Sequence, residues 1–195
     1  AIEDIALMRV MPNMVVLAPA DHIEARKAVH AAVAYDGPVY IRVGREKTPV
    51  ATTEQTPFVI GKALRVAHRD QSHQRTVGLV VTGTLLANAL AAAAELNQAG
   101  VGASVLHMPT IKALDTDELH TFAQEHDFLV TIEEHQRYGG LGGAVAEYTA
   151  EAIPRRVVRI GINDVFGESG TPAELLQAHG LDTESITRTV LDACV

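Results

Sequence analysis

The chain has no tryptophan, and only 4% of its 195 residues are aromatic. It has one cysteine, Cys194. A single thiol excludes an internal disulfide and fits a reducing, cytoplasmic compartment, which is the expected location. A cysteine this close to the end, with no histidine partner in the pattern, reads as incidental rather than as a nucleophile. No apolar run reaches the roughly 18 residues that a bilayer-spanning helix needs. No basic segment followed by an apolar one marks a signal peptide. Positive charge is also scarce: 16 Lys and Arg against 24 Asp and Glu leave a net charge of −8. Nucleic acids and anionic membranes require a positive field, so neither is an expected partner. A local basic pocket for a phosphate is compatible with that balance. The chain opens with Ala1, already inside a patterned segment, which reads as a truncated or processed start.

Hydrophobic residues make up 47% of the chain, enough for a globular core. The length suits one domain or two small ones. Met14–Pro19 is a short β-branched run, read as a buried strand. Asp21 and Glu24 form a capping box for a helix whose apolar face is Ala25, Ala28, Val29, Ala32 and Val33. Gly37 and Pro38 end that helix, and Val39–Val43 is the next strand. Short connections between strand, helix and strand imply a parallel sheet. Pro49, two Thr pairs and Pro57 mark residues 46–57 as a surface linker, with a domain boundary at 48–57.

Beyond the linker, Phe58–Val66 and Val77–Val81 read as a hairpin with a polar tip at Asp70–Gln74. An Ala-rich helix follows, with Thr84 as its N-cap. Ser104–Met108, Phe128–Ile132 and Val157–Ile160 are further strands. Helices open at Asp115 with Glu118, after Gly139–Gly143, at Thr171-Pro172 with Glu174, and at Thr183. Strand and helix alternate with no internal repeat, so the fold class is α/β.

Several motifs carry two readings. Gly139–Gly143 joins a strand to a helix and could cradle a phosphate on exposed N–H groups. Its spacing departs from G-x-G-x-x-G at the last glycine, and a tight structural turn is preferred. His120, His126 and His135 lack H-E-x-x-H spacing and a Cys pair, so no metal site is expected and all three read as surface histidines. Glu133-Glu134-His135 follows a strand end, as either a pocket or interface element or a solvated charge cluster, the latter preferred. Arg42 and Arg45 also end a strand. They suit either a phosphate or carboxylate ligand or a surface ion pair. No G-x-S-x-G elbow or P-loop is present, and no catalytic residue is nominated.

Ile2–Asp21 (IEDIALMRVMPNMVVLAPAD) and Gly37–Pro49 (GPVYIRVGREKTP) resemble the back half of the transketolase pyrimidine-binding domain. Val77–Leu90, Thr131–Glu147 (TIEEHQRYGGLGGAVAE) and Gly161–Leu181 (GINDVFGESGTPAELLQAHGL) resemble the transketolase C-terminal domain. The last two stretches look closest to C-terminal subunits of split bacterial transketolases. The resemblance implies a partial three-layer pyrimidine-binding domain over residues 1–50, a linker at 51–57, and an α/β C-terminal domain with a mostly parallel sheet over 58–195, folding independently. It also implies thiamine diphosphate with Mg²⁺ as cofactors of the complete enzyme, and transfer of a two-carbon ketol unit between sugar phosphates. The expected partner is the N-terminal transketolase portion, with a homodimer as the assembly.

The family's Thr-His-Gln, its cofactor-activating Glu and its Gly-Asp-Gly metal motif do not occur here; Asp36-Gly37-Pro38 is not that motif. The resemblance therefore implies no cofactor bound by this chain alone and no turnover alone. Arg45 aligns with the arginine that grips the sugar phosphate, a role suited to a bidentate guanidinium. Arg9 sits where some relatives place an arginine near the substrate channel. The open alternatives are a non-catalytic assembly module, or part of a deoxyxylulose-phosphate synthase or a 2-oxoacid dehydrogenase β subunit.

Overall fold

The computed structural model describes residues 1–69 and 72–194. In chain order the elements are α1 (Asp4–Arg9), β1 (Val15–Leu17), α2 (His22–Val33), β2 (Val39–Ile41), β3 (Leu64–Ala67), β4 (Thr76–Val81), α3 (Leu86–Gln98), β5 (Gly102–His107), β6 (Thr110–Lys112), α4 (Thr116–Gln124), β7 (Phe128–Gln136), α5 (Leu141–Ala152), β8 (Val157–Ile162), α6 (Pro172–Ala178) and α7 (Thr183–Ala193).

Two sheets organise them, one ordered β2-β1-β6 and the other β3-β5-β4-β7-β8. In the larger sheet β5, β4, β7 and β8 run parallel, and β3 adds antiparallel at the edge. Strand alternation divides its side chains between two helical layers. Val77, Leu79 and Val81 of β4 and Phe128, Val130 and Ile132 of β7 share a core with Leu86, Ala89 and Ala93 of α3 and Ile186 and Val190 of α7. Val80, Leu106 and Leu129 face the other way, onto Leu119 and Phe122 of α4 and Leu141 and Val145 of α5. The α/β class with a mostly parallel sheet is as the sequence implies. On the second face Gly78 is required by close approach: a Cβ there would lie 2.5 Å from the Phe122 ring and 2.8 Å from Leu129.

In the smaller sheet β1 pairs parallel with β2 and antiparallel with β6. Ile111 of β6 is buried with Ile5, Val16 and Ala18. A strand from after the expected linker thus completes the sheet begun by the first fifty residues. Asp21 reinforces the connection. Its carboxylate accepts from Ile23 and Glu24 N–H as the α2 cap, and from Ala51 N, Thr52 N and Thr52 Oγ1.

Four local readings change. The expected hairpin does not form: β3 pairs with β5, while β4 lies one strand further in, between β5 and β7. Part of the expected hairpin tip, Asp70 and Gln71, lies outside the described residues. Thr84 caps nothing; it sits inside a single 3-10 turn, Gly83–Leu85, that leads into α3. The cap of α7 is Asp182, whose carboxylate accepts from Ser185 N–H. The capping boxes of α2 and α4 are half-formed. Glu24 turns back to Ala20 N–H and to His107, and the Glu118 carboxylate is taken by Arg65.

Candidate functional site

The carboxyl ends of parallel strands are where α/β folds gather functional groups. Here the segment after β1 (Pro19–His22), the loop after β2 (Val43–Thr48) and Thr84 after β4 surround a cavity of about 610 Å³. Arg45 stands in its wall with the side chain 95% exposed, and its one ion-pair contact among the described residues is a 3.9 Å approach to Glu46. His22 and Lys47 line the same cavity. A free guanidinium beside an ammonium and an imidazole can take a phosphate or carboxylate.

Arg42, three residues earlier, is committed to the protein. Its side chain is 13% exposed and lies 3.4 Å from Asp4 Oδ2 and 3.9 Å from Glu134 Oε2. It also donates to the Glu134 carbonyl at 2.8 Å. Tyr40 donates to the same Asp4 oxygen at 2.8 Å. Of the two readings open for this arginine pair, Arg42 takes the ion pair and Arg45 is left facing the cavity.

Arg9 is in another place. Its guanidinium donates to the carbonyls of Gly139 and Gly140 and pairs with Glu147 at 2.7 Å. It lines a separate cleft with Lys112, Glu147 and Tyr148. The structure therefore does not bring Arg9 and Arg45 into one cavity.

The glycine turn and the Glu133-Glu134-His135 triplet prove to be one construction. The carboxylate of Glu133, fully buried, accepts from Leu141 N–H and Gly142 N–H at 2.7 Å each. The anion position at the start of α5 is thus filled by the protein's own side chain. Gly140 must lack a Cβ because that atom would overlap the Glu133 carboxylate. Burial pushes the Glu133 pKa up to about 7, against the opposing pull of the two amides and of Arg9 and Arg42.

His135 is also fully buried. Its Nε2 accepts from Ala6 N–H at 3.3 Å while Nδ1–H donates to the Gln136 carbonyl at 2.7 Å, and burial holds its pKa below the usual value. The solvated-cluster reading of this triplet is thereby corrected, because two of its three members are in the interior. The surface reading of the histidines is corrected as well. His126 is 2% exposed with Nδ1–H donating to the Phe122 carbonyl, and His120 is half-buried against Tyr148. Among the described residues no group of three or more His, Cys, Asp or Glu could hold a metal ion.

The transketolase C-terminal domain profile matches residues 66–186, and the transketolase pyrimidine-binding domain profile matches residues 1–50. The chain belongs to the transketolase C-terminal domain family. A Methanocaldococcus jannaschii protein assigned as a transketolase C-terminal section is 39% identical to this transketolase-family chain, over 97% of the chain and 58% of the relative. A 1-deoxy-D-xylulose-5-phosphate synthase of Leptothrix cholodnii is 42% identical over 94% of the chain and 28% of the relative. A solved split-gene transketolase, described as an inactive beta4 tetramer, superposes with a TM-score of 0.90 at 39% identity, covering the whole chain and 61% of that structure. The chain therefore spans well under two thirds of the relatives it matches. No helix among the described residues is long and apolar enough to cross a membrane.

Nothing in the sequence signalled the bond from the Thr84 hydroxyl to Glu134 or the Glu24–His107 pair. A Thr in a strand-to-helix turn carries no signal beyond capping, and a pair 83 residues apart carries none at all.

Proposed function

We propose that this chain is the C-terminal part of a thiamine-diphosphate-dependent transketolase that moves a two-carbon ketol unit from a ketose phosphate to an aldose phosphate. The observation that carries this reading is Arg45, exposed and almost unpaired at the wall of the cavity at the strand ends. Its part is to grip the sugar phosphate, with His22 and Lys47 beside it. Arg9 is read as an α1 anchor rather than as a phosphate ligand, given its bonds to the glycine turn. Residues 1–50 are read as pyrimidine-domain sequence, 51–57 as the connection and 58–195 as the C-terminal domain.

The donors of this chain are read as not fitting thiamine diphosphate and its divalent metal. Its buried carboxylates on Asp21, Glu24 and Glu133 already accept bonds from the protein. The cofactor supplies the carbanion chemistry in the complete enzyme, and the residues that hold it are assigned to an N-terminal transketolase portion. The similar split-gene structure is described as inactive and tetrameric, which supports no turnover by this chain alone and association with further copies. A homodimeric, cytoplasmic enzyme is the assembly proposed.

The test is a ketol-transfer assay with thiamine diphosphate and Mg²⁺, with and without the N-terminal portion. Activity only on mixing supports the reading; turnover by the chain alone, or none in the mixture, refutes it. A deoxyxylulose-phosphate synthase is the second reading, favoured by the 42% identical relative. Product analysis of the reconstituted enzyme separates the two.

A further inference from the structure

The loop that carries Arg45 is braced by residues distant in sequence, Thr84 and Glu134. Arg42, at its start, is held by Glu134 of β7 through the carbonyl at 2.8 Å and the carboxylate at 3.9 Å. Gly44, its middle, lies against Thr84: a Cβ at Gly44 would be 3.3 Å from the Thr84 methyl. Thr84 in turn donates its hydroxyl to Glu134 Oε2 at 2.8 Å. One residue therefore meets both the arginine that begins the loop, chiefly through its carbonyl and with Asp4 at 3.4 Å sharing the guanidinium, and the threonine beside Gly44, through its carboxylate. A β-branched side chain with its hydroxyl anchored has one rotamer left, so the methyl that meets Gly44 stands in a fixed place. Arg45 itself makes almost no contact that would hold it. Its position has to come from its loop.

We propose that Thr84 and Glu134 are positioning residues for substrate phosphate recognition, acting through Gly44 and Arg42 on the placement of Arg45. Both lie in the part of the chain that matches the C-terminal domain profile, so this region takes part in selecting phosphorylated substrates. Neither touches the reacting carbons. The effect is on binding of the distal phosphate and not on the chemical step, which places it in KM more than in kcat. The inference rests on the proposed function above and extends it.

The experiment uses the complete reconstituted enzyme and compares fructose 6-phosphate with fructose as ketol donor. Arg45→Ala serves as the reference for loss of phosphate recognition. Thr84→Val keeps the methyl shape and removes the bond to Glu134; Glu134→Ala removes the acceptor of Thr84 and the charge facing Arg42 while leaving the backbone carbonyl that Arg42 also uses. Each is expected to raise KM for the phosphorylated donor about tenfold relative to the unphosphorylated one, the size of one lost polar contact. Thr84→Ser, which keeps the bond to Glu134 but loses the methyl that meets Gly44, is expected to shift the ratio in the same direction as Thr84→Val. A purely structural role would lower stability and kcat for both donors alike and leave the ratio where it was. Both positions are partly exposed, so folded variants are expected. If Arg45→Ala shifts the ratio while Thr84→Val and Glu134→Ala do not, the positioning role is overturned and the function stands. If the wild-type mixture fails to use sugar phosphates, the function and this inference fall together.

Discussion

His107 Nε2 lies 2.8 Å from Glu24 Oε2, and the two side chains are 0% and 1% exposed. The pair joins α2, beside the cavity, to the end of β5 in the larger sheet. Glu24 also accepts from Ala20 N–H at 2.6 Å, so the same carboxylate fixes the chain just before the helix. Removing one partner leaves the other buried without its counterpart. Glu24→Ala and His107→Ala are each expected to lower stability by about 1–3 kcal/mol in urea unfolding, the cost of a buried polar group left without its partner. The double replacement Glu24→Leu with His107→Phe is expected to recover part of that loss, because neither side chain is left without the other, while Ala20 N–H still loses its acceptor. Additive losses in the Glu24→Ala/His107→Ala double mutant would refute the coupling.

Glu133 gives a pH dependence of defined sign. Its pKa rises from 4.5 to about 7 on folding, so the folded state binds the extra proton between those values. The penalty for burying its charge is absent below pH 4.5 and complete above about pH 7, where it reaches about 3 kcal/mol. Glu133→Gln removes that titration. The stability of wild type minus that of Glu133→Gln, read by denaturant unfolding from pH 4.5 to 8, is expected to fall as pH rises. A flat difference would show that the carboxylate titrates normally.

Gly78 is a packing position, not a turn. Gly78→Ala would drive a methyl into Phe122 and Leu129 and against His126. Overpacking of this kind costs about 1–3 kcal/mol. A thermal melt checks it, and Phe122→Leu in the same chain is expected to relieve part of the loss by making room.

Arg45→Ala is expected to leave thermal stability within about 0.5 kcal/mol of wild type, since the side chain is 95% exposed and loosely paired. In the reconstituted enzyme the same change is expected to cut kcat/KM for sugar phosphates by about a hundredfold, the scale of a lost charge-assisted contact. Equal loss with unphosphorylated donors would remove Arg45 from phosphate recognition.

The long, periodic elements could be read from the sequence because their signals are local. The β1-α2-β2 unit, the Ala-rich helix and the strands β4, β5, β7 and β8 follow from short apolar runs and helical spacing. The short elements could not be read this way. Helix α1 has six residues and no side-chain cap, and β6 has three residues that gain their meaning only beside β1. The β3–β5 pairing was hidden because nearest neighbours in sequence suggested a hairpin. At the site, the place of Arg45 after a strand was legible, and the structure sets it in the cavity wall. Glu133 and His135 were not, because a Glu-Glu-His triplet looks hydrophilic until the two amides at the start of α5 and the Ala6 amide are seen to satisfy it.

Strand β6 belongs by sequence to the later part of the chain and by hydrogen bonding to the earlier part. A polypeptide trimmed to begin at Phe58 would retain β6 but lose β1, laying bare Ile111 and an unpaired backbone edge. The converse fragment, ending before the linker, would hold two strands that are too few to stand alone in water. The seam between the two family profiles thus passes through a single three-stranded sheet.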